Sequence, residues 1–263
     1  MSDFTLAELM ITAAAEAWRH DPELLATGIG PLPRLATGLA RLTLNERLML
    51  TDGESFAVEE PVRLGDGAAE RPGFVGWLNY GRIFECLWSG RRHAMVTPVQ
   101  IDRWAQMNIS ALGDFAQPKV QMLGCRGFPG NSISHRNSVL VPAHSPRVFV
   151  AGEVDVVCSI GFTSRHWPEG TQPRMPDIGR VVTDLCVMDF NGPDHAAQVI
   201  SLHPGVSLAQ VQAQTGFPLL AAPGMGETPV PTAQQLAVIA GLDPRNQRAK
   251  VLKGNPPGLR VAA

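Results

Sequence analysis

The sequence has little charge. Only 17% of its 263 residues are Asp, Glu, Lys or Arg, and 22 basic residues against 24 acidic ones leave a formal net charge of −2, whereas an average globular chain is about 25% charged. No basic run occurs, which argues against a nucleic-acid-binding protein, because such proteins carry a clustered positive surface. Disorder is excluded as well, since a disordered chain is less apolar and more highly charged.

Long hydrophobic runs are absent too. No apolar stretch reaches the roughly 20 residues that a membrane-spanning helix needs. The first residues include Asp3 and Glu8 and lack the basic segment of a secretory signal peptide. We therefore expect a cytoplasmic protein without a membrane segment.

Several motifs of common active sites are missing. The four cysteines form no C-x-x-C pair, and no two of the seven histidines have the spacing of a zinc-protease helix, so we expect no metal. A G-x-S-x-G nucleophile elbow does not occur. Gly28-Ile29-Gly30 begins like a dinucleotide-binding fingerprint, but Pro31-Leu32-Pro33 follows and the third glycine is lacking.

The residues that are present predict a globular α/β protein. Hydrophobic residues make up 44% of the chain, and short β-branched apolar runs alternate with segments of helical periodicity. This mixture favours an open, mixed or parallel sheet flanked by helices. We expect one domain over residues 1–245 and an exposed C-terminal tail over residues 246–263, which is polar and rich in Pro and Gly.

Two loops are candidates for chemistry near the first half of the chain. Gly28 and Gly30 precede a predicted helix and could bring backbone N–H groups to a phosphate or carbonyl oxygen, although a plain tight turn explains them as well. Asp52 and Glu54 follow a short apolar strand, where open α/β sheets bind their ligands. Either carboxylate could serve as a nucleophile or base if it is desolvated, or the turn could simply be solvated.

The third candidate is a glycine-rich loop over residues 124–131. Gly124, Gly127 and Gly130 permit backbone shapes that side chains forbid. Arg126 within this loop could hold a carboxylate or an enolate-like oxyanion, and loop amides could complete an oxyanion hole. A surface salt bridge is the alternative for Arg126.

Taken in order, these and other segments resemble the β subunit of the class I CoA-transferase family, in its glutaconate CoA-transferase-like branch, over residues 5–245. The resemblance depends on several short segments of the sequence: Thr27–Gly30, Val99–Asn108, Gly113-Asp114 before Lys119, the glycine loop, Val182–Leu185 and Ser201–Val206. It implies the NagB/RpiA-like fold of that family. It also implies an α subunit as partner, an α2β2 heterotetramer, and an acyl-CoA substrate that needs no separate cofactor.

The resemblance also implies a departure from transferase chemistry. Transferases of the family carry a nucleophilic Glu in a turn of this subunit, and here Asp52 stands in its place. Together with the glycine loop, this departure is similar to the steroid ring-cleaving hydrolases of the family, which open a ring of a CoA thioester by C–C hydrolysis with a base from the other subunit. The resemblance then implies Arg126 and Asp52 as catalytic residues. It implies the following substrate-binding residues: Gly28, Gly30, Glu54, Gly124, Cys125, Gly127, Phe128, Gly130 and Asn131.

Two other functions stay open at this point. The chain could be the β subunit of an authentic CoA-transferase for a dicarboxylic or steroid acyl-CoA, with Asp52 forming the covalent intermediate. It could also be a non-catalytic subunit that only completes the pocket of its partner.

Overall fold

The computed structural model describes residues 3–52, 56–66, 73–122, 124–125, 127–172 and 175–260. Six α-helices occur in these ranges: α1 (Leu6–Ala15), α2 (Pro31–Thr43), α3 (Tyr80–Trp88), α4 (Phe128–Ser134), α5 (Leu208–Ala213) and α6 (Ala233–Leu242). Three 3-10 turns span Glu16–Trp18, Pro193–His195 and Gln247–Lys250.

Ten strands form the main sheet: β1 (Leu25–Gly28), β2 (Met49–Asp52), β3 (Phe56–Val58), β4 (Phe74–Trp77), β5 (Arg92–Val96), β10 (Arg136–Val141), β11 (Ile178–Thr183), β12 (Cys186–Asp189), β13 (Gln198–Leu202) and β14 (Leu220–Glu227). Their order across the sheet is β14-β13-β12-β11-β10-β5-β1-β2-β3-β4. Two small antiparallel pairs lie outside it: β6 (Gln100–Ile101) with β7 (Met107–Asn108), and β8 (Ala111–Leu112) with β9 (Val120–Gln121).

The centre of the sheet is parallel, and so is the pairing of the edge strand β14 with β13, whereas other pairings toward both ends are antiparallel. β2, β1, β5, β10 and β11 run in the same direction, β3 and β4 form an antiparallel edge, and β12 pairs antiparallel with both neighbours. The predicted open mixed sheet flanked by helices is therefore confirmed.

Alternation along the strands sends side chains to two separate cores. Ala26, Leu50 and Met95 lie in the first core, which α1, α2 and α6 cover. Ala94 and Val96 lie in the second core, on the opposite face, with Phe128 of α4 and the segment around β6 and β7. Burial on both faces explains why the central strands are apolar runs rather than alternating ones.

The C-terminal segment differs from its prediction as an exposed tail. The Leu6 N–H donates to the Pro256 carbonyl at 2.8 Å, and the Gly258 N–H donates to the Phe4 carbonyl at 2.8 Å. The Arg248 guanidinium contacts the Glu8 carboxylate at 2.9 Å. Residues 248, 256 and 258 are thus held at the start of α1 by backbone hydrogen bonds and a largely buried ion pair. The composition of this segment, which is typical of a mobile end, does not reveal these contacts.

Two β-branched apolar runs of the sequence do not form strands in the structure. Residues 147–150 and 154–160 are β-branched and apolar, yet they form only isolated bridges, from Phe149 to Ile101 and from Ser159 to Met107. Their apolar side chains enter the second core without a continuous ladder of backbone hydrogen bonds. Apolar composition therefore indicated burial here rather than strand geometry.

Candidate active site

The first two candidate loops meet at one edge of the sheet. Gly28 is the last residue of β1 and Asp52 the last of β2, and these two strands are parallel neighbours. Gly30 is the N-cap of α2, which begins at Pro31. This is the carboxyl edge of the strands, where ligands bind in open α/β sheets.

A cavity of 400 Å³ opens at this edge. It is bounded by the end of β1, the start of α2, the end of β2 and one loop residue, namely Thr27, Gly28, Ile29, Gly30, Pro31, Arg34, Thr51 and Leu64. The guanidinium of Arg34 gives the cavity a cation, and Thr27 and Thr51 give it hydroxyl groups. The cavity has the mixed apolar and polar lining of a small-molecule site.

The two glycines of the first loop are required for different reasons. A Cβ on Gly28 would lie 2.3 Å from the backbone carbonyl carbon of Pro33, which leaves no room for any side chain. Gly30 has a φ of +104°, a conformation that L-residues with side chains rarely adopt. Backbone packing and backbone shape therefore account for both glycines before any ligand is considered.

The N-terminus of α2 offers few donors to an anion. Pro31 and Pro33 have no N–H, so Leu32 is the residue among the first three of the helix whose N–H can face the cavity. The Arg34 N–H is used within the helix by the Gly30 carbonyl at 3.0 Å. The first turn of α2 is therefore a poor cradle of amides for an anion, and Arg34 is the charged residue among those that line the cavity.

A buried arginine supports the floor of the cavity. Arg92 is the first residue of β5 and is only 1% exposed. Its Nε donates a hydrogen bond to Thr27 Oγ1 at 3.0 Å. The Thr51 hydroxyl donates to the same Thr27 oxygen at 3.2 Å. Because Thr27 and Thr51 both line the cavity, Arg92 fixes two of its polar groups from inside the sheet. Sequence reasoning did not single out Arg92.

The two carboxylates predicted at this edge are only partly described. The backbone of Asp52 pairs with Phe56 of β3 and directly follows Thr51, which lines the cavity. Glu54 lies outside the described residues. The roles predicted for both residues remain predictions.

The glycine-rich segment is a loop only in its first part. Gly124 has a φ of +85° and is a true loop glycine. Phe128, Gly130 and Asn131 instead belong to α4, which begins at Phe128. Arg126 lies outside the described residues, so its predicted oxyanion role remains a prediction.

The described residues of this segment face different surroundings. The Phe128 ring is 5% exposed and packs in the second core, as the half-buried Cys125 does at its margin. A side chain on Gly127 would start 3.8 Å from the Phe84 ring, and one on Gly130 would meet nothing within 4 Å. Packing therefore does not require glycine at positions 127 and 130.

Asn131 and its neighbours carry buried acceptor atoms that lack hydrogen bonds. Among the residues that the structure describes, the Oδ1 atoms of Asn131 and Asn137 and the Nε2 atom of His135 have no hydrogen-bond partner. The Asn137 amide donates to the carbonyls of Asn131 and His135, so these residues lie together. Burial lowers the pKa of His135 to about 4, and the ring is neutral near pH 7.

A Ser–His–Asp chain lies away from this edge, inside the sheet. His93 contacts the Asp21 carboxylate at 2.6 Å through Nδ1 and the Ser138 hydroxyl at 2.8 Å through Nε2. Ser138 and His93 are 0% exposed, and the Ser138 oxygen also accepts the Arg180 N–H. A nucleophile without access cannot meet a substrate, so this chain is a buried polar network that ties β5 and β10 to the turn after α1.

The motifs from Val99 to Asn108 serve the fold. Asp102 Oδ1 accepts the N–H groups of Trp104 and Gln106, and Asp102 Oδ2 accepts that of Val154. Burial raises the pKa of this carboxyl to about 6. His203 is likewise a structural residue, because Thr228 and the Thr183 carbonyl satisfy its two nitrogens.

Within the described ranges, no group of three His, Cys, Asp or Glu side chains is arranged to hold a metal ion. Among the same residues, no helix is long and apolar enough to cross a membrane.

Known proteins resemble this chain along nearly its whole length. The "Cholesterol ring-cleaving hydrolase IpdB subunit" of Mycobacterium tuberculosis H37Rv is 39% identical over 251 residues, which cover 95% of this chain and 99% of that protein. One subunit of the 3-oxoadipate CoA-transferase of Pseudomonas knackmussii is 31% identical over 97% of this chain and 99% of its own length. No protein-family model matches.

The structural comparison agrees with the sequence comparison. The crystal structure of Rhodococcus jostii RHA1 IpdAB superposes with a TM-score of 0.86 and 37% identity, over 95% of this chain and 99% of that one. The CoA-transferase-type fold expected from the resemblance is thereby confirmed. The chain belongs to the IpdB subunit family of ring-cleaving hydrolases, a branch of the CoA-transferase β subunits.

Proposed function

We propose that this protein is the β subunit of a heteromeric hydrolase that opens a steroid-derived ring by C–C hydrolysis in a CoA thioester. The observation that carries the proposal is the full-length likeness to IpdB subunits at 39% identity. The Asp at position 52 supports it, because the transferases that the chain resembles use the longer Glu as nucleophile there. In-line attack tolerates ångström errors poorly, and Asp is one methylene shorter.

The proposed reaction adds one water across a ring C–C bond of a β-diketone, namely the bond between one carbonyl carbon and the carbon that lies α to both carbonyl groups. A base of the α subunit removes a proton from water, and the oxygen attacks one carbonyl carbon. The C–C bond breaks, the attacked carbon becomes a carboxylate, and the electron pair passes to the other fragment as an enolate that takes up a proton. The reaction therefore requires a group that stabilises an oxyanion.

In this proposal Arg126 and the amides of residues 124–131 stabilise that oxyanion, and Asp52 is a secondary polar group. The proposed substrate-binding residues are Gly28, Gly30, Glu54, Gly124, Cys125, Gly127, Phe128, Gly130 and Asn131. The open position beside Gly130 supports this set, since glycine there is not needed for packing. Phe128 is buried, so in this proposal it contacts the substrate through its backbone in α4 and not through its ring.

We further propose an α2β2 heterotetramer that uses CoA only as part of its substrate. A cytoplasmic location follows from this substrate and is supported by the four free cysteines, since disulfides are rare in that reducing compartment.

A test of the catalytic assignment is Arg126→Ala in the purified two-subunit complex. We expect kcat on the ring-closed CoA thioester to fall by about a hundredfold or more, as for loss of an oxyanion donor. Arg147→Ala is the matched control, because Arg147 is exposed and lies outside the candidate site. A kcat near that of the unmodified complex would refute the role of Arg126.

The second candidate function is an authentic CoA-transferase. The likeness to the 3-oxoadipate CoA-transferase favours it. Incubation of the complex with acyl-CoA, followed by borohydride or hydroxylamine, would then modify the Asp52 peptide. An unmodified peptide together with ring-opened product supports the hydrolase.

A further inference from the structure

The segment from β4 through α3 exposes an unusual number of aromatic rings. Five of the chain's 16 Phe, Trp and Tyr residues lie within residues 74–88. Among them Trp77 is 64% exposed, Tyr80 82% and Trp88 67%. We call this region the β4–α3 surface and define it by Phe74, Val75, Trp77, Tyr80, Phe84 and Trp88.

The outer face of α3 is an ordered aromatic stack. Tyr80, Phe84 and Trp88 are spaced four residues apart and share one side of the helix. Their ring centroids are 5.8 Å and 5.5 Å apart. Ile83 and Leu87 are buried on the inner side. The stack is thus held in place before anything binds to it, which lowers the entropic cost of docking.

The strand next to this helix lies at one edge of the sheet. Among the described residues, β4 ends the ten-stranded order and pairs only with β3. Val75 is 50% exposed and Phe74 54% exposed, although successive residues point to opposite faces. Within the described part of the chain, both faces of this edge strand are therefore apolar and exposed, an arrangement that promotes association unless a partner covers it.

The size of the surface indicates a protein rather than a small molecule. Aromatic side chains have about 150–250 Å² each, so the exposed fractions correspond to roughly 600 Å² of apolar area. This reaches the upper end of the largest patches on ordinary monomers, about 300–600 Å². It approaches the roughly 800 Å² that each partner buries in a stable complex.

The surface also adjoins the candidate site. A side chain on Gly127 would start 3.8 Å from the Phe84 ring, so the glycine-rich segment lies against the inner part of the aromatic stack. A protein that covers this surface would reach the second half of the site. Arg82 and Glu85 are the two charged residues within residues 74–88, so binding to this surface would depend mainly on apolar contacts.

We propose that the β4–α3 surface is the docking site of the α subunit. The inference rests on the proposed function only in naming that partner, and the likeness to the two-subunit IpdAB structure supports the choice. Trp and Tyr are the residue types that most often dominate binding energy at interfaces. Covering this surface would place the partner's catalytic base beside residues 124–131.

The test measures assembly of the two subunits without substrate. Trp77→Ser with Trp88→Ser should weaken α–β association at least about tenfold in native mass spectrometry and analytical ultracentrifugation. Because both side chains are exposed, the variant should keep the circular dichroism and melting temperature of the unmodified β subunit. Leu42→Ser is the control, since Leu42 is 50% exposed on α2 over the opposite face.

The possible outcomes separate the proposal from its rivals. Loss of α–β assembly in the double variant but not in Leu42→Ser supports it. Unchanged assembly overturns it, and a raised KM with unchanged assembly would assign the surface to substrate instead. Loss of a β–β contact alone would overturn it in favour of a second copy of this chain. Assembly is measured without turnover, so an error in the proposed reaction would not affect the result.

Discussion

The guanidinium of Arg92 and the hydroxyl of Thr27 meet inside the sheet, with 3.0 Å between Nε and Oγ1. The two residues are 65 positions apart in the chain and lie on neighbouring parallel strands. Thr27 also accepts the Thr51 hydroxyl, so one oxygen links the first residue of β5 to β1 and β2, one residue before β1 and β2 end at the candidate site. A buried cation that holds such a junction makes the floor of the cavity rigid.

Replacing Thr27 tests this junction. Thr27→Val keeps the shape of the side chain and removes the acceptor, which should lower the free energy of unfolding by about 2 kcal/mol, because a hydrogen bond to a buried charged donor is lost. Thr27→Ser keeps the oxygen and should cost less than about 1 kcal/mol. Urea unfolding measures both values, and an equal loss in the two variants would contradict the role of the hydroxyl.

The glycines of the site should respond differently to alanine. Gly28→Ala should destabilise the protein by about 3 kcal/mol or more, since the new Cβ would overlap the backbone of Pro33 and Arg34, which cannot move cheaply. Gly130→Ala should leave the stability unchanged or raise it by about 0.5 kcal/mol, because the position lies in α4 with open space around it. Melting temperatures compare the two.

Turnover by Gly130→Ala then tests the proposed ligand contact. If glycine is present at position 130 to admit the substrate, KM should rise although the fold is intact. A variant that is as stable and as active as the unmodified complex would remove Gly130 from the site.

Acid should destabilise the protein through its buried histidines. Burial lowers the pKa of His144 and of His203 to about 4, whereas the unfolded side chain titrates near 6.5. Between these two pKa values the unfolded chain binds more protons than the folded one. The stabilisation that each neutral, buried histidine contributes is therefore complete above about pH 6.5 and is lost as the pH falls toward 4. Asp102, with its pKa raised to about 6, acts in the opposite direction over pH 4–6.

The measurement is urea unfolding at about pH 7 and about pH 5, with His144→Gln as comparison. Each shifted histidine should contribute on the order of 2 kcal/mol to the change between these two pH values. The variant should show a smaller loss between the two pH values, since it has one titrating group fewer. An identical loss in both proteins would show that His144 is not a source of the acid sensitivity.

Asp52 distinguishes the two chemistries. In the hydrolase no acyl-enzyme forms on this residue, so Asp52→Asn should lower kcat by no more than about tenfold. In a transferase the same substitution would remove the nucleophile, and kcat should fall by more than about a thousandfold. Steady-state kinetics of the two-subunit complex measure the difference, and Asp114→Asn, in an exposed loop, is the control.

Much of the frame could be predicted from local sequence. The Thr5–Glu8 capping box begins α1, Ser207 caps α5, and the apolar runs of β1, β2 and β5 lie in the central sheet. Each of these depends on contacts within a few residues or on burial of the whole strand. Gly28–Gly30 and Asp52 were predicted as separate loops, and only the pairing of β1 with β2 brings the two strand ends together.

The remainder depended on distant contacts. The glycine and proline content of 128–131 predicted a loop, yet burial of Phe128 in the second core supports a helix there. β4 and α3 were not predicted. Most large apolar residues of these two elements face outward, and Ile83 and Leu87 are the buried residues of α3. Arg92 is a charge in an apolar strand, and its partner Thr27 belongs to a strand that only the fold brings near.

Hydrolysis of a ring C–C bond by the two-subunit complex is the central claim. Turnover of the ring-closed CoA thioester in ¹⁸O-water, followed by mass spectrometry, tests it directly. We predict a ring-opened CoA thioester with one heavy oxygen in its new carboxylate, and no dependence on an added acceptor acid. A ring that stays closed while CoA passes to the acceptor carboxylate would contradict the claim.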